Sequence, residues 1–340
     1  MTLVAPQVLE LQQRQLREIA EGHARIHVCY AGICGTDLAL YRGQYKTNLP
    51  LVLGHEFVGV VEQVAPDVSS RWKGKRVVSE INNHCRAYRR KDLCPECLSD
   101  QVNHCRKRTV IGIAGADGAF AEYIDVPVGN MHFVSDALDD YTATLIEPMA
   151  AALQTFNVCP IEPGQRVLVM GAGRLGLLII AAARSANAEV IAVSRSQERL
   201  DFAKQFGAEH LFTPSGDLPD QIKAIYNNQL ADIVVEATGN TNGIREALAL
   251  VRPRGTICVK TTMGEPSLLD LTKIVVDEIQ LSASRCGAFA PAIHFLEQHK
   301  LPLKQWFHPA LPLSQLSHAM QLATKPGKVL LDIRNTKIYQ

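Results

Sequence analysis

"VLVMGAGRLGLLIIAAA", residues 167–183, ends an apolar β-type run on Gly171-x-Gly173-x-x-Gly176 and passes without a break into a helix-forming stretch. A G-x-G-x-x-G is weak on its own. Here strand, turn and helix occur in the required order, and a second strand, "AEVIAVS" (188–194), follows about twenty residues on. Each glycine then has a physical task. Gly171 permits the tight turn, Gly173 lets the backbone approach a pyrophosphate, and Gly176 lets the helix lie close on the sheet. Arg174 and Leu175 open that helix, whose free amides and positive dipole end suit an anion. The alternative is a glycine turn in an α/β domain that binds no nucleotide. A membrane span is a poor reading, because three glycines and Arg174 interrupt the run and it falls short of about 20 residues.

Working outward, the same texture continues. Strands are expected at "QRVLVM" (165–170), "EHLFTP", "ADIVVEA" (231–237), "GTICVK" (255–260) and "IQLSAS" (279–284). Helical stretches such as "GRLGLLIIAAARSA", "SQERLDFAKQFGA" and "NGIREALALV" lie between them. Parallel neighbours need crossover helices, so this alternation predicts a doubly wound α/β sheet. The first 150 residues read differently, as short β-branched runs ("ARIHVCYA", "FVGVVEQVA", "KRVVSEI", "FAEYIDVP") punctuated by turns. The fold class is therefore α/β plus β. Two amphipathic helices, around 290–299 and 313–324, and a strand in "GKVLLDI" close the chain, with no repeats or low-complexity tracts.

The end of the second strand selects the cofactor. An NAD site usually places Asp or Glu there, accepting from the ribose 2′-hydroxyl. This chain offers "VSRSQERL", with Ser194 in that place and Arg195 and Arg199 beside it. A carboxylate would repel a 2′-phosphate by roughly 4 kcal/mol at contact distance in an effective dielectric near 20. Removing it and adding two guanidinium forks favours the phosphate. The expectation is NADP(H) rather than NAD(H), against a bland alternative of two surface arginines at a helix start.

The totals bound the remaining chemistry. The chain has 340 residues, enough for two cores, and Lys+Arg 35 against Asp+Glu 34 gives a net charge of +1. That balance disfavours a nucleic-acid binder driven by phosphate neutralisation. "MTLVAPQVLELQQRQLREIAEG" carries no signal-peptide pattern, so a soluble, cytoplasmic chain is expected. In that compartment nine cysteines are not a disulfide framework. "LCPECLSDQVNHC" (93–105) supplies Cys94, Cys97 and Cys105, and Cys85 precedes them. A redox reading of Cys94-Pro-Glu-Cys97 would want a thioredoxin-like strand and helix, which "HCRAYRRKD" does not provide. A tetrathiolate zinc clip fits better, and such a closed site has no room for substrate. The basic neighbours (Arg86, Arg89, Arg90, Lys91, Arg106, Lys107, Arg108) read as a solvated lobe rather than a nucleic-acid ribbon.

A second, open metal set is spread along the chain: Cys34 in "GICGTDLALYRGQY", His55-Glu56 in "VLGHEFVGVVEQV" and Glu147 in "LIEPMAAAL". One thiolate, one imidazole and one or two carboxylates can hold zinc and leave a position vacant. Taken singly they are weak, since a lone cysteine is usually a small buried hydrophobe and Glu147 before proline could cap a helix. Together with "GICGTD", the G-H-E-x2-G-x-V pattern in "GHEFVGVVEQV", the cysteine lobe, "EPMAAAL", the Gly171 fingerprint, "DIVVEATG" and "GKVLL", they carry a resemblance. Over almost its whole length the chain resembles the zinc-containing medium-chain alcohol dehydrogenases, especially their polyol and threonine dehydrogenase-like branches.

That resemblance implies a GroES-like β catalytic domain (1–150 and 288–340, with the zinc lobe at about 85–105) and an inserted Rossmann domain (151–287). It implies that Cys34 and His55 ligate catalytic zinc, that Glu56 ligates it or sits just behind, and that Glu147 stands at a further ligand position. Thr36 would take the substrate's proton, and Asp37 would hold His55. Cys85, Cys94, Cys97 and Cys105 would hold structural zinc. Ala237, Thr238, Gly239 and Arg285 join the fingerprint residues as expected cofactor contacts; Arg285, with Cys286, also approaches the substrate in related polyol enzymes. Tyr41 and Arg42 are further pocket candidates. Three departures stand out: eight residues separate Cys85 from Cys94 where the family has two, Ala39 replaces a proton-passing histidine, and Ser194 replaces the cofactor-selecting acid. The expected enzyme moves hydride between a secondary alcohol or polyol (or the matching ketone) and NADP, as a homodimer or homotetramer. A zincless quinone-type reductase and a non-catalytic NADP-binding redox sensor are the rivals.

Overall fold

Antiparallel pairing dominates the first 133 residues of the computed structural model, which describes residues 1–262 and 265–334. Strand β1 (His23–Gly32) leads into helix α1 (Gly35–Tyr41), followed by β2 (Glu56–Val64), β3 (Arg76–Ser79), β4 (Tyr123–Pro127) and β5 (Met131–Phe133). β1 pairs with β2 along nearly its whole length, and β2 then pairs with β3 and β3 with β5. β4 also lies antiparallel to β1. Valines and isoleucines of β1 to β3, such as Ile26, Val28, Val58 and Val77, are buried. The β-branched runs form strands because such side chains suit a pleated surface packed on one side.

Helix α2 (Ile146–Val158) leads into the second unit. There the chain alternates β6 (Arg166–Met170), α3 (Arg174–Ser185), β7 (Glu189–Val193), α4 (Gln197–Gln205), β8 (His210–Phe212), α5 (Leu218–Ile225), β9 (Ala231–Glu236), α6 (Gly243–Leu250), β10 (Val251–Val259), α7 (Leu271–Val276) and β11 (Gln280–Ala283). All neighbouring strands are parallel, in the order β8-β7-β6-β9-β10-β11. β6 and β7 read as unbroken apolar runs because helices cover both faces of such a sheet. Leu168, Val193, Val234 and Ile257 of the sheet pack with Ile222 of α5 and Leu248 of α6 in one core. Strand order reverses between β6 and β9, which makes the carboxyl ends of those two strands the crevice where a dinucleotide binds in such sheets.

After β11 the chain returns through α8 (Phe289–Gln298), β12 (Leu311–Pro312), α9 (Leu316–Leu322) and β13 (Leu330–Asp332). β13 pairs antiparallel with β1, so the C-terminal strand extends the first sheet. By contact density the units are Met1–Glu147 with Phe289–Gln340, and Pro148–Ala288. The first crossing thus falls three residues before the expected 150, because α2 already starts at Ile146 and the chain leaves the first unit within its first turn, and the second falls one residue after 287. The second C-terminal helix is also shorter than 313–324, being a 3-10 turn at Leu313–Gln315 followed by α9. Among the described residues no helix is long and apolar enough to cross a membrane.

Candidate metal centres and cofactor site

The four cysteines of the lobe come together. Cys85, Cys94, Cys97 and Cys105 are all buried, and their sulfurs lie within 4.8 Å of one another. Cys85 Sγ is 3.5 Å from Cys105 Sγ, and Cys94 Sγ is 3.6 Å from it. Zinc–sulfur bonds of about 2.3 Å give a tetrahedron whose edges are about 3.8 Å, so the donor set fits a zinc ion. Leu93 and Val102 pack against the cluster. Burial, then Cys94 and Cys105, push the Cys97 thiol up. Cys85 reaches the cluster despite its unusual spacing. None of the nine cysteines forms a disulfide. The basic neighbours are engaged locally: Arg86 with Asp100 at 2.6 Å, Arg106 with Glu96 at 2.6 Å, Lys107 with Asp92, and Arg90 over the Tyr88 ring.

The open set is organised by Asp37. Cys34 caps α1, and its backbone N–H donates to Asp37 Oδ2 at 2.8 Å. Asp37 Oδ1 accepts from Gly54 N–H at 3.1 Å and lies 3.5 Å from His55 Nδ1. One fully buried carboxylate thereby ties the Cys34 loop to the His55 loop. Gly54 makes that approach possible: its φ is +95°, and an added Cβ would stand 2.7 Å from Phe120 Cε1. Donor atoms of Cys34, His55 and Glu56 lie within 4.8 Å of one another. Glu147, expected beside Cys34 and His55, stands next to this group rather than within it, at the first turn of α2. Thr36 is half-buried, with its hydroxyl 3.8 Å from Cys34 Sγ.

The electrostatics of this set call for a cation. Among the described residues, none gives buried His55 Nδ1 a hydrogen-bond partner. Burial works to lower the His55 pKa, but Asp37 and Cys34 outweigh it and hold the imidazole well above its ordinary value. Burial pushes Glu147 up to about 7, with Glu56 and Asp37 adding to the shift and His55 and Lys328 opposing it. Lys328 is the residue that sequence reasoning missed here. Nearly fully buried, it forms an ion pair with Glu56 and donates to Ile33 O at 3.3 Å. The only signal was a lysine inside the apolar run "GKVLLDI", where a buried acid partner is the usual requirement. The Cys34 thiol, the His55 imidazole and the Glu56 carboxylate, with Asp37 and Glu147 beside them, suit a divalent ion. The residues fit catalytic zinc.

In the second unit the fingerprint glycines are pinned at the switch point. Gly171 has φ +93°, and an added Cβ would lie 2.5 Å from Ala237 O and 2.9 Å from Thr238 Cα. The turn after β9 therefore presses directly on the turn after β6. Among the described residues nothing lies within 4 Å of a Cβ built at Gly173, which leaves its backbone open to a ligand. Arg174 and Leu175, both half-buried, begin α3. Ser194 directly follows β7, its hydroxyl accepting from Ser196 N–H at 3.4 Å, and Ser196 caps α4 by accepting from Arg199 N–H. Burial first, then the charges of Arg174 and Arg195, lower the Arg199 pKa. Arg174 and Arg195 thus stand close enough to Arg199 for their charges to be felt, with Glu198 opposing them, and Ser194 stands where an acid would. Arg285 lies exposed on the loop after β11, its carbonyl accepting from Lys260 Nζ at 3.3 Å.

Comparison with known proteins decides the family. Residues 20–136 match the alcohol dehydrogenase GroES-like domain, and residues 175–298 match the zinc-binding dehydrogenase domain. The chain belongs to the zinc-containing medium-chain alcohol dehydrogenases. It is 34% identical over 254 residues to the L-galactonate-5-dehydrogenase of Escherichia coli K12, covering 74% of this chain and 72% of that protein. It superposes with a TM-score of 0.89 and 28% identity on an E. coli CFT073 alcohol dehydrogenase solved with NADH, covering 97% of this chain and 98% of the other. A zinc-binding dehydrogenase from Sinorhizobium meliloti 1021 solved with NADP gives 0.85 and 26%, covering 97% and 98%. This dehydrogenase is a zinc-dependent oxidoreductase acting on CH–OH groups, with a nicotinamide cofactor, on a GroES-like plus Rossmann fold. Its relatives have been captured with either cofactor form.

Proposed function

We propose that this dehydrogenase uses NADP(H), and that it interconverts a polyol-type secondary alcohol and its ketone. The observation that carries the cofactor reading is the nearness of Arg174 and Arg195 to Arg199, with Ser194 where an acid would stand. A 2′-phosphate would add its negative charge beside these arginines, and planar guanidinium forks match its oxygens. The substrate class follows from the chain's likeness to an enzyme named for a sugar acid. Steady-state kinetics with both cofactors test the reading, over a panel of polyols, sugar acids, amino alcohols and simple alcohols. A preference for NADP(H) is expected; a tenfold preference for NAD(H) overturns it.

Cys34, His55 and one or both of Glu56 and Glu147 would hold the catalytic ion, and Cys85, Cys94, Cys97 and Cys105 the structural one. When bound, catalytic zinc supplies a Lewis-acidic contact for the substrate oxygen and the nicotinamide supplies or takes the hydride. The chain's own work is positional. Asp37 holds the two ligand loops together, and Lys328 offsets the charge of Glu56. The Thr36 hydroxyl, beside Cys34, would take the substrate's proton. Gly173 and the start of α3 receive the pyrophosphate.

We also infer a homo-oligomer built through the β11 edge. Leu268, Leu271, Val275, Val276 and Leu281 are each exposed, on or near α7 and the edge strand β11. An apolar patch beside an unpaired strand edge is a surface that chains bury by self-association. Light scattering should give a dimer or tetramer; a monomer contradicts this inference.

A further inference from the structure

We infer that Glu236 is a positioning residue for the cofactor: its buried carboxylate fastens the turn Ala237–Gly239 onto the fingerprint turn at Gly171. This rests on the reading of Ala237, Thr238 and Gly239 as cofactor contacts. Glu236 ends β9 in register with Met170, the residue before Gly171, and is 1% exposed. Its Oε1 accepts three hydrogen bonds, from Thr238 N–H at 2.8 Å, Thr238 Oγ1 at 2.6 Å and Thr261 Oγ1 at 2.8 Å.

The network then spreads outward. Thr261 Oγ1 accepts from Gly239 N–H at 2.9 Å, and Thr238 Oγ1 accepts from Asn240 N–H at 3.1 Å. The main chain contributes as well, with Ala237 N–H bonded to Met170 O and Lys260 N–H to Glu236 O. Two turns, one after β9 and one after β10, are thus tied to a single carboxylate oxygen. Gly243 lets the start of α6 lie on the same spot, since an added Cβ would stand 2.8 Å from Glu236 Cδ.

Three hydrogen bonds converge on this one oxygen, so a single side chain fixes both turns. The turn they hold abuts Gly171, where an added Cβ would already strike Ala237 and Thr238. Slackening the network displaces the backbone that lines the cofactor crevice, with no change to any group that touches the cofactor's phosphates. Reach matters more than charge: an amide oxygen at the same distance can still accept from these donors.

The test is equilibrium binding of NADPH and of NADH to the zinc-loaded, full-length protein, read by nicotinamide fluorescence, with melting temperature and zinc content measured in parallel. Glu236→Asp, which withdraws the carboxylate by one methylene, and Thr261→Ala are expected to weaken binding about 10-fold. Glu236→Gln and Thr261→Ser are expected to stay within about threefold of the parent, because they keep the reach and the hydroxyl. Should Glu236→Asp fail to fold, the Thr261 pair decides alone. Unchanged affinity in Glu236→Asp and Thr261→Ala, with or without a lower melting temperature, overturns the inference. Gly173→Val separates the two levels. If it abolishes binding while the Glu236 and Thr261 variants bind normally, only the positioning role fails. If it too binds normally, the cofactor site itself has been misplaced, and both readings fall.

Discussion

Ser194→Asp is the sharpest perturbation of cofactor choice. It returns a carboxylate to the end of β7, next to the Arg174, Arg195 and Arg199 cluster, without touching the fingerprint glycines. A carboxylate and a phosphate charge about 4 Å apart repel by roughly 4 kcal/mol in an effective dielectric near 20. Arg195 is exposed, so solvent reaches the spot and screening halves this to about 2 kcal/mol. The ratio of kcat/KM for NADPH over NADH should therefore fall by about 30-fold to 1,000-fold. Part of the change should be a gain for NADH, whose 2′-hydroxyl acquires an acceptor. The assay is initial-rate kinetics with each cofactor at fixed alcohol or ketone. A selectivity ratio that moves less than twofold, or moves toward NADPH, refutes the reasoning.

Other outcomes follow from the metal set. Asp37→Asn removes the anion shared by Cys34, Gly54 and His55, and should weaken zinc at this site about 10- to 100-fold, as competition with a chelator would show. Zinc in the cysteine lobe should be unaffected. Glu147 gives a pH signature in zinc-stripped protein. Its folded pKa, about 7, is raised above the unfolded value of 4.5, so its deprotonation is easier in the unfolded chain. That group costs nothing below pH 4.5, and its penalty grows as pH rises to about 7 and is constant above. The melting temperature of stripped Glu147→Gln should lack this component of the fall, and an identical pH profile to the parent contradicts the assignment. Cys85→Ser should release the lobe zinc and lower the melting temperature, since structural zinc contributes folding energy outright. Retention of that zinc would remove Cys85 from the set.

Much of the fold was legible because its signals are local. β6, β7 and β9 are short apolar runs bounded by glycines and helix caps, and every strand expected in the second half is present within a residue or two, apart from β10, which begins at Val251 rather than 255. α2 was unread because Glu147-Pro148 suggests only a cap, whereas Pro is tolerated in a helix's first turn and the following alanines extend it. α5 and α7 are short helices, which periodicity resolves poorly. At the sites, residue types were legible and arrangement was not. Cys34, His55 and Glu56 could be singled out by type and by family likeness. The pairing of Lys328 with Glu56 joins positions 272 residues apart and depends on β13 docking against β1. Glu236 lay within a quoted motif, but a buried carboxylate at a strand end has no local mark; its role emerges only when the turns after β9 and β10 stand side by side.

Metal stoichiometry of the purified protein, measured by mass spectrometry alongside activity, bears on the central claim most directly. The account predicts two zinc ions per chain, falling to one with loss of turnover in His55→Ala, while the cysteine-lobe ion stays bound. One ion or none in the parent, or a His55→Ala protein that keeps both ions and its activity, would contradict it.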